Sequence, residues 1–155
     1  MSLYNSNSNA VRSVVAKVIR DNLDLSKVPG LEASERTDFI LLNPIKGKTP
    51  YVMLLLSDID VSEYDKDGLL YDYTFSIEVY DEYKELLGSK PSVTYGLIDS
   101  CFEAIYNNRE SIKSDDDGFR AINIKIGKSQ FAKKIEPGNT KWYGFGKFAL
   151  TVGFK

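Results

Sequence analysis

Apolar and polar residues alternate most regularly in the segment Leu69–Asp81, where tyrosine and aliphatic positions are separated by acidic and hydroxyl side chains. Because successive strand residues point to opposite faces, this pattern predicts a strand with one buried and one solvated face. The same period predicts strands at Phe119–Ile126 and Lys141–Phe154. The residues expected to share the buried face are Tyr73, Phe75, Ile77, Val79, Ile122, Ile124, Ile126, Phe148, Leu150, Val152 and Phe154.

Two other segments have apolar residues at a spacing of three and four, which predicts amphipathic helices. The first spans about Ala10–Leu23 and has Val11, Val15 and Val18 on its apolar stripe. The second spans about Pro91–Arg109, and its stripe includes Cys101. Residues 1–9 are rich in Asn and Ser, so we expect a flexible or partner-ordered arm before the first helix.

Shorter apolar runs predict strands at Phe39–Leu42 and Tyr51–Val61, with a loop at Ser62–Gly68 before the central strand. Residues 129–140 fit either an extended arm or a hairpin limb ending at Pro137–Gly138. Gly144 and Gly146 predict a bulge or bend in the last strand. Hairpin-length connections indicate an α+β fold, a mostly antiparallel sheet of about 4–6 strands with two helices packed on one face. The 155 residues suit a single domain over 1–155.

The composition excludes several kinds of function. The chain has no histidine and one cysteine, so Ser-His-Asp catalysis, imidazole zinc sites and an internal disulfide are all excluded. Cys101 lies in an apolar helical stripe, which favours burial over reactivity. The longest apolar run, Tyr51–Leu56, is too short to cross a bilayer, and residues 1–9 lack the apolar segment of a secretory signal. We therefore expect synthesis in the cytoplasm and no enzymatic activity, although carboxylate or lysine chemistry passes this filter.

Four short motifs imitate ligand-binding loops, and each lacks an essential member. Gly127-Lys128-Ser129 has Ile122 where a phosphate-binding loop needs its first glycine. The acidic turns 65–68 and 115–118 lack the carboxylate pattern of a calcium loop. The glycine motif that binds dinucleotides lies at a turn between a strand and a helix, but Gly144-Phe145-Gly146 falls within a predicted strand. We expect no cofactor, no metal and no specific nucleic acid.

Charge is distributed unevenly along the chain. Residues 58–85 hold ten acidic and two basic side chains, whereas residues 120–155 hold one acidic and eight basic side chains. One interpretation is ordinary solvated strands and loops. The other is a pair of oppositely charged surfaces that meet between neighbouring subunits, with aromatic contacts supplying affinity. The interface residues predicted on that interpretation are Asp58, Asp60, Glu63, Asp65, Asp67, Lys128, Lys133, Lys134, Trp142 and Tyr143.

The order of elements resembles that of bacteriophage tail-terminator and neck (head–tail completion) proteins. Members of that family open with an amphipathic helix and a polar loop, and then enter a strand through a sequence like Thr49-Pro50-Tyr51-Val52. A long alternating strand like Tyr71–Tyr80 follows, then a helix like Pro91–Arg109 and two closing strands. The similarity in order extends from about Ala10 to the end of the sequence.

This resemblance implies a structural protein of the virion. Such terminators form a ring, typically of six subunits, that caps the tail tube and presents a surface to the head connector. The partners would be copies of the chain and other phage tail or connector proteins, with no membrane involved. The alternative is a small bacterial ligand-binding or regulatory module, which a pocket lined by convergent polar groups would favour.

Overall fold

The structure is a computed structural model that describes residues 3–24, 26, 40–41, 51–65, 68–84 and 91–154. Within these residues the fold has two α-helices and six strands, and a short 3-10 helix, Arg109–Ser111, follows the second α-helix. In chain order the elements are α1 (Leu3–Asn22), β1 (Ile40–Leu41), β2 (Tyr51–Asp65), β3 (Gly68–Lys84), α2 (Pro91–Asn107), β4 (Lys113–Ser114), β5 (Phe119–Glu136) and β6 (Asn139–Phe154).

All six strands belong to one sheet in the order β1-β2-β3-β6-β5-β4. The pairs β2–β3, β3–β6, β5–β6 and β4–β5 are antiparallel, and only the short β1 runs parallel to its neighbour. β2 and β3 form one hairpin, with Asp65 opposite Gly68. β5 and β6 form a second, with Glu136 opposite Asn139 and Gly138 in the left-handed conformation (φ 76°). The two hairpin ends lie at opposite ends of the sheet.

One face of the sheet, here called the helix side, is covered by α1 and α2, and the other is called the open side. Side chains of both helices join the helix-side residues of β2, β3, β5 and β6 in one hydrophobic cluster. Phe75 stacks on Phe148 at 5.2 Å between ring centroids, and Phe102 of α2 meets Phe148 edge-on at 6.4 Å. The predicted fold class, an α+β sheet with both helices on one face, is confirmed.

The described strands are longer than the sequence pattern predicts. The predicted loop Ser62–Gly68 is wrong for most of its length, because β2 continues to Asp65 and β3 begins at Gly68. Of the two alternatives for residues 129–140, the hairpin limb is the one observed. Helix α1 begins at Leu3, before the predicted start at Ala10, while α2 ends at Asn107, before the predicted end at Arg109. Phe39 and Leu42 lie outside the described residues.

A bulge in β5 overturns part of the predicted core. The pairing of β5 with β6 shifts between Ala121 and Asn123, so Ile122 has no partner in the register. Ile122 is 58% exposed, whereas Ile124 is only 9% exposed and contacts the core. A second shift, between Ile126 and Ser129, leaves Ile126 37% exposed. The other predicted core residues of β3 and β6 are buried, except that Phe154 at the end of β6 is only partly so.

The predicted bulge at Gly144 and Gly146 is also wrong, because β6 keeps an unbroken register with β3 at both positions. A Cβ atom at Gly146 would lie 2.3 Å from Cζ of Phe102, and one at Gly144 would lie 2.7 Å from Cγ2 of Thr94. The two glycines therefore let α2 approach the sheet closely.

Helix α1 is tied to the outer edge of β2. Strand β1 pairs with β2 only at Val52 and Met53. Directly beyond this pairing, Nε and Nη2 of Arg12 donate hydrogen bonds of 3.2 and 3.1 Å to the Leu54 carbonyl oxygen. The guanidinium thus satisfies an acceptor that an edge strand would otherwise leave to solvent.

Candidate functional site

The open side of the sheet divides into an acidic and a basic half. Because directly paired residues point to the same face, the register places each side chain. On β2 and β3 the open side carries Asp58, Asp60, Asp72, Glu78 and Glu82. On β6 and β5 it carries Lys147, Lys141, Lys134 and Lys125. The division of charge seen along the sequence therefore becomes a division across the sheet.

Three residues of the acidic half, Asp58, Asp60 and Asp72, lie toward the end of the sheet that carries the β2–β3 hairpin. Asp58 pairs with Thr74 and Asp60 with Asp72. Asp58 and Asp60 are exposed. Asp72 is half-buried, and its Oδ1 atom accepts a 2.6 Å hydrogen bond from Thr151 Oγ1. The two β2 carboxylates are thus placed to meet a partner's cations.

At the opposite end, the tip of the β5–β6 hairpin holds a small ionic network. Nζ of Lys134 and Nζ of Lys141 each lie 3.2 Å from the Glu136 carboxylate. Hydrogen bonds from these two lysines lower the pKa of the Glu136 carboxyl, and the same contact raises the pKa of Lys141. Lys134 and Lys141 therefore already have an anionic partner within the chain.

A neighbouring carboxylate, Glu82 of β3, borders the same network. The Asn139 side-chain amide and the Tyr80 hydroxyl both donate hydrogen bonds to it, the second at 2.8 Å. These bonds lower the pKa of the Glu82 carboxyl. Glu82 thus connects β3 to the first residue of β6, and the hairpin tip is held by exposed polar contacts.

On the helix side, the same hairpin carries an aromatic cluster, defined as Tyr95, Phe131 and Trp142. The Tyr95 ring of α2 lies 4.3 Å from Phe131 and 6.3 Å from Trp142, measured between centroids. Lys133 Nζ lies over the Trp142 ring at 5.3 Å. Tyr95 and Phe131 are 40% and 39% exposed, so α2 covers the cluster only in part. An aromatic group of this kind with a cation beside it is typical of protein contact surfaces.

Two concavities could in principle hold a small ligand. A groove of about 290 Å³ on the open side is lined by Met53, Tyr80, Tyr143 and Phe145, with Glu78 as its charged group. Another, of about 250 Å³, lies where both helices end and is lined mainly by polar side chains. There, the amides of Asn22 and Asn108 donate to the carbonyl oxygens of Val18 and Ala104, four residues earlier in each case. These amides therefore already donate hydrogen bonds to carbonyl oxygens near the C-terminal ends of the two helices.

The structure separates the residues predicted as one interface. Asp58 and Asp60 are exposed on β2, Glu63 and Asp65 lie further along that strand, and Asp67 lies outside the described residues. Lys128, Lys133 and Lys134 are exposed on β5. Within one chain the two groups lie on strands separated by β3 and β6, so the acids and lysines could meet only between copies.

Lys133 and Lys134 point to opposite faces, because they pair with Trp142 and Lys141 respectively. The same holds for Trp142 and Tyr143. Tyr143 is on the open side, where its ring lies 5.1 Å from Tyr80. The predicted aromatic pair therefore serves two different surfaces, and whether either surface is an interface stays a prediction.

Sequence reasoning did not identify Tyr95, Phe131 and Ile135 as surface residues of interest. Ile135 is 69% exposed and lies on the helix side of β5, two residues beyond Lys133. The sequence does contain a pattern that places them on one surface, since Phe131, Lys133 and Ile135 have the period-two spacing of a strand face. Their partner on α2 could not be identified from spacing alone.

Comparison with known proteins shows a likeness in fold and no likeness in sequence to a family model or a curated protein. Among solved structures, the fold is similar to that of a chain from the virion of a native gene transfer agent particle, with a TM-score of 0.58 and 14% sequence identity. The likeness covers 96% of this chain and 99% of that chain. The whole architecture is therefore shared with a virion component.

Among the described residues, no helix is long and apolar enough to cross a membrane.

Proposed function

We propose that this chain is a structural protein of a phage-like virion, a ring-forming tail terminator or neck component that joins the tail tube to the head connector. The observation that carries the proposal is the likeness in fold to a virion chain over 96% of this sequence and 99% of that one. The likeness extends over nearly the full length of both chains, and the role is carried over to this chain by analogy in fold.

The distribution of charge supports assembly into a ring. A ring of identical subunits needs a heterologous contact, in which one surface of each subunit meets a different surface of the next. The acidic half on β2 and β3 and the basic half on β5 and β6 are two such surfaces. Complementary charges would set partner choice and register, while apolar contacts supply most of the affinity.

The absence of histidine from the sequence supports a non-catalytic role. Histidine is the only side chain whose ordinary pKa lies near neutral pH, so general acid–base chemistry would depend on shifted carboxylates or lysines. In the open-side groove, Glu78 is accompanied mostly by aromatic and apolar side chains. The groove is therefore better suited to a protein side chain than to a reacting substrate.

Native mass spectrometry of the purified protein, followed by negative-stain microscopy, tests the proposal. The expected result is a single closed oligomer, with six subunits as the first expectation, seen as a ring with a central opening. The ring should also bind tail tubes when phage tail proteins are co-expressed. A monomer at high micromolar concentration that no tail or connector protein drives into an assembly would contradict the proposal.

A small ligand-binding module is the second candidate, and the polar pocket at the helix ends is the observation that favours it. Asp24, Ser100 and Glu103 line this pocket beside the amides of Asn22, Asn107 and Asn108. Its two carboxylates would suit a cationic ligand such as an amine. Calorimetric titration with a panel of amines and amino acids separates the two candidates. Micromolar, stoichiometric binding would favour the ligand-binding module over the virion structural protein.

A further inference from the structure

Strand β5 leaves a long backbone edge without a partner in the part of the chain that the structure describes. Strand β4 pairs with it at Phe119 and Arg120, and the Ala121 N–H donates a 2.8 Å hydrogen bond to the Ile112 carbonyl oxygen, whereas β5 continues to Glu136. The second bulge divides the rest, and the stretch 129–136 beyond it is here called the free β5 edge. Such an edge offers unsatisfied donors and acceptors to any strand that can lie beside it.

The side chains on the free β5 edge differ on the two faces. On the helix side, Phe131 is 39% and Ile135 is 69% exposed. On the open side, Lys134 is exposed. Lysines alone would indicate an edge protected against pairing. Large exposed apolar side chains on the same stretch indicate a surface that becomes buried on association.

Strand β2 presents the complementary edge. Strand β1 covers it only at Val52 and Met53, and Arg12 caps the Leu54 carbonyl oxygen. Beyond these contacts, residues 55–61 have no second strand beside them among the described residues, and this stretch is here called the free β2 edge. It carries apolar Val61, 45% exposed, on the helix side and acidic Asp58 and Asp60 on the open side.

We infer that the free β5 edge of one subunit pairs with the free β2 edge of a second copy, continuing the sheet from subunit to subunit. This pairing places Phe131 and Ile135 beside Val61 on the helix side. On the open side it brings Lys134, which also contacts Glu136 of its own chain, near Asp58 and Asp60 of the second copy. It also satisfies backbone groups that both edges leave open. The inference rests on the self-association proposed above and names the strands that carry it.

The first test compares two aspartate substitutions on the same strand by sedimentation velocity over a concentration series. Ile135→Asp removes an exposed apolar contact and sets a carboxylate on the helix side, where the partner edge carries apolar Val61, so association should weaken about tenfold or more. Ile122→Asp is the matched control, because Ile122 is 58% exposed on β5 and lies outside the free β5 edge. Circular dichroism should show both variants folded.

The second test identifies the partner edge by cross-linking. Because Cys101 is buried, it should not form disulfides under mild oxidation, and any disulfide can be assigned to the engineered thiols. Separate Val61→Cys and Ile135→Cys variants should each give little disulfide dimer, and their mixture should give a mixed dimer.

Equal association of the Ile135→Asp and Ile122→Asp variants overturns the inference while the ring proposal stands. Weaker association of Ile135→Asp without a mixed disulfide overturns β2 as the partner edge. A wild-type protein that never associates overturns both proposals.

Discussion

Phe75 lies fully buried in the middle of β3, stacked against Phe148 and 6.4 Å from Tyr73 between ring centroids. Truncation to alanine removes the ring and leaves a cavity that the surrounding sheet cannot close. We expect Phe75→Ala to lower the free energy of unfolding by roughly 3–5 kcal/mol, measured by urea denaturation. Ile122→Ala is the control, since this exposed residue should cost much less. A similar loss in both variants would contradict the burial of this face.

Gly146 has no side chain, and this leaves room for the ring of Phe102 against the sheet. A Cβ atom there would lie within 2.7 Å of two ring atoms of Phe102, so we expect Gly146→Ala to cost about 1–3 kcal/mol through overpacking. Gly153→Ala on the same strand is the control, because its nearest neighbour is the flexible end of Ile122 at 3.0 Å. Thermal unfolding of both variants checks the difference, and equal melting temperatures would refute it.

Sequence alone could predict which residues of β3 and β6 are buried, because period-two alternation is unbroken there. It could not predict the exposure of Ile122, since a bulge in β5 interrupts the period without leaving a glycine or proline at that position. The spacing role of Gly146 depends on Phe102, a contact between distant elements. By contrast, the opposite faces of Lys133 and Lys134 follow from the strand period once residues 129–136 form a strand, and whether both lysines lie in an interface stays a prediction.

The end of the β5–β6 hairpin should respond to acid. Glu136 and Glu82 both have a pKa below the usual value because partners hydrogen-bond their charged forms. A lowered folded-state pKa contributes stability above the unfolded pKa, and this stability is lost as pH falls through the folded value. The hairpin end should therefore fray at low pH before the core does. Carboxyl NMR titration checks this, because both groups should have a pKa below that of an ordinary glutamate.

Two substitutions separate the causes of these shifts. Lys141→Met should raise the pKa of Glu136, because it removes one of the two ammonium groups that bind this carboxylate. Tyr80→Phe should raise the pKa of Glu82, whose hydroxyl donor it removes, and leave Glu136 unchanged. Equal responses of both carboxylates to either change would refute the separate contacts.

The elements themselves were partly readable from the sequence. Both helices, the central strand and the closing strand were predicted in the right order, because each has a strong period. The lengths of β2 and β5 were not, since the polar residues after Val61 and after Ile126 are typical of loops. In each hairpin, backbone pairing with the neighbouring strand keeps these polar residues in strand conformation. A local sequence pattern gives no information on that pairing.

At the scale of the whole molecule, self-association should depend on salt and on the lysines of β5. Lys133→Glu combined with Lys134→Glu should weaken the assembly and leave each subunit folded, because both side chains are exposed. Raised salt should weaken the wild-type assembly modestly, since exposed charges are screened over about 10 Å at 0.1 M ionic strength. Arg20→Glu, an exposed reversal on α1, is the control. Native mass spectrometry that finds the double variant fully assembled would contradict this prediction.

The free β2 edge and the free β5 edge lie toward opposite sides of the sheet, and this decides how an assembly that pairs them would grow. If copies add head to tail, each arriving subunit uses one unoccupied edge and brings another of the same kind. An open row of any length then keeps one unoccupied edge of each type, so elongation alone never reaches completion. Closure into a circle removes both at once and gains a contact without adding a subunit. Partial rows would therefore be scarce, and free subunits and finished circles would dominate the population at equilibrium.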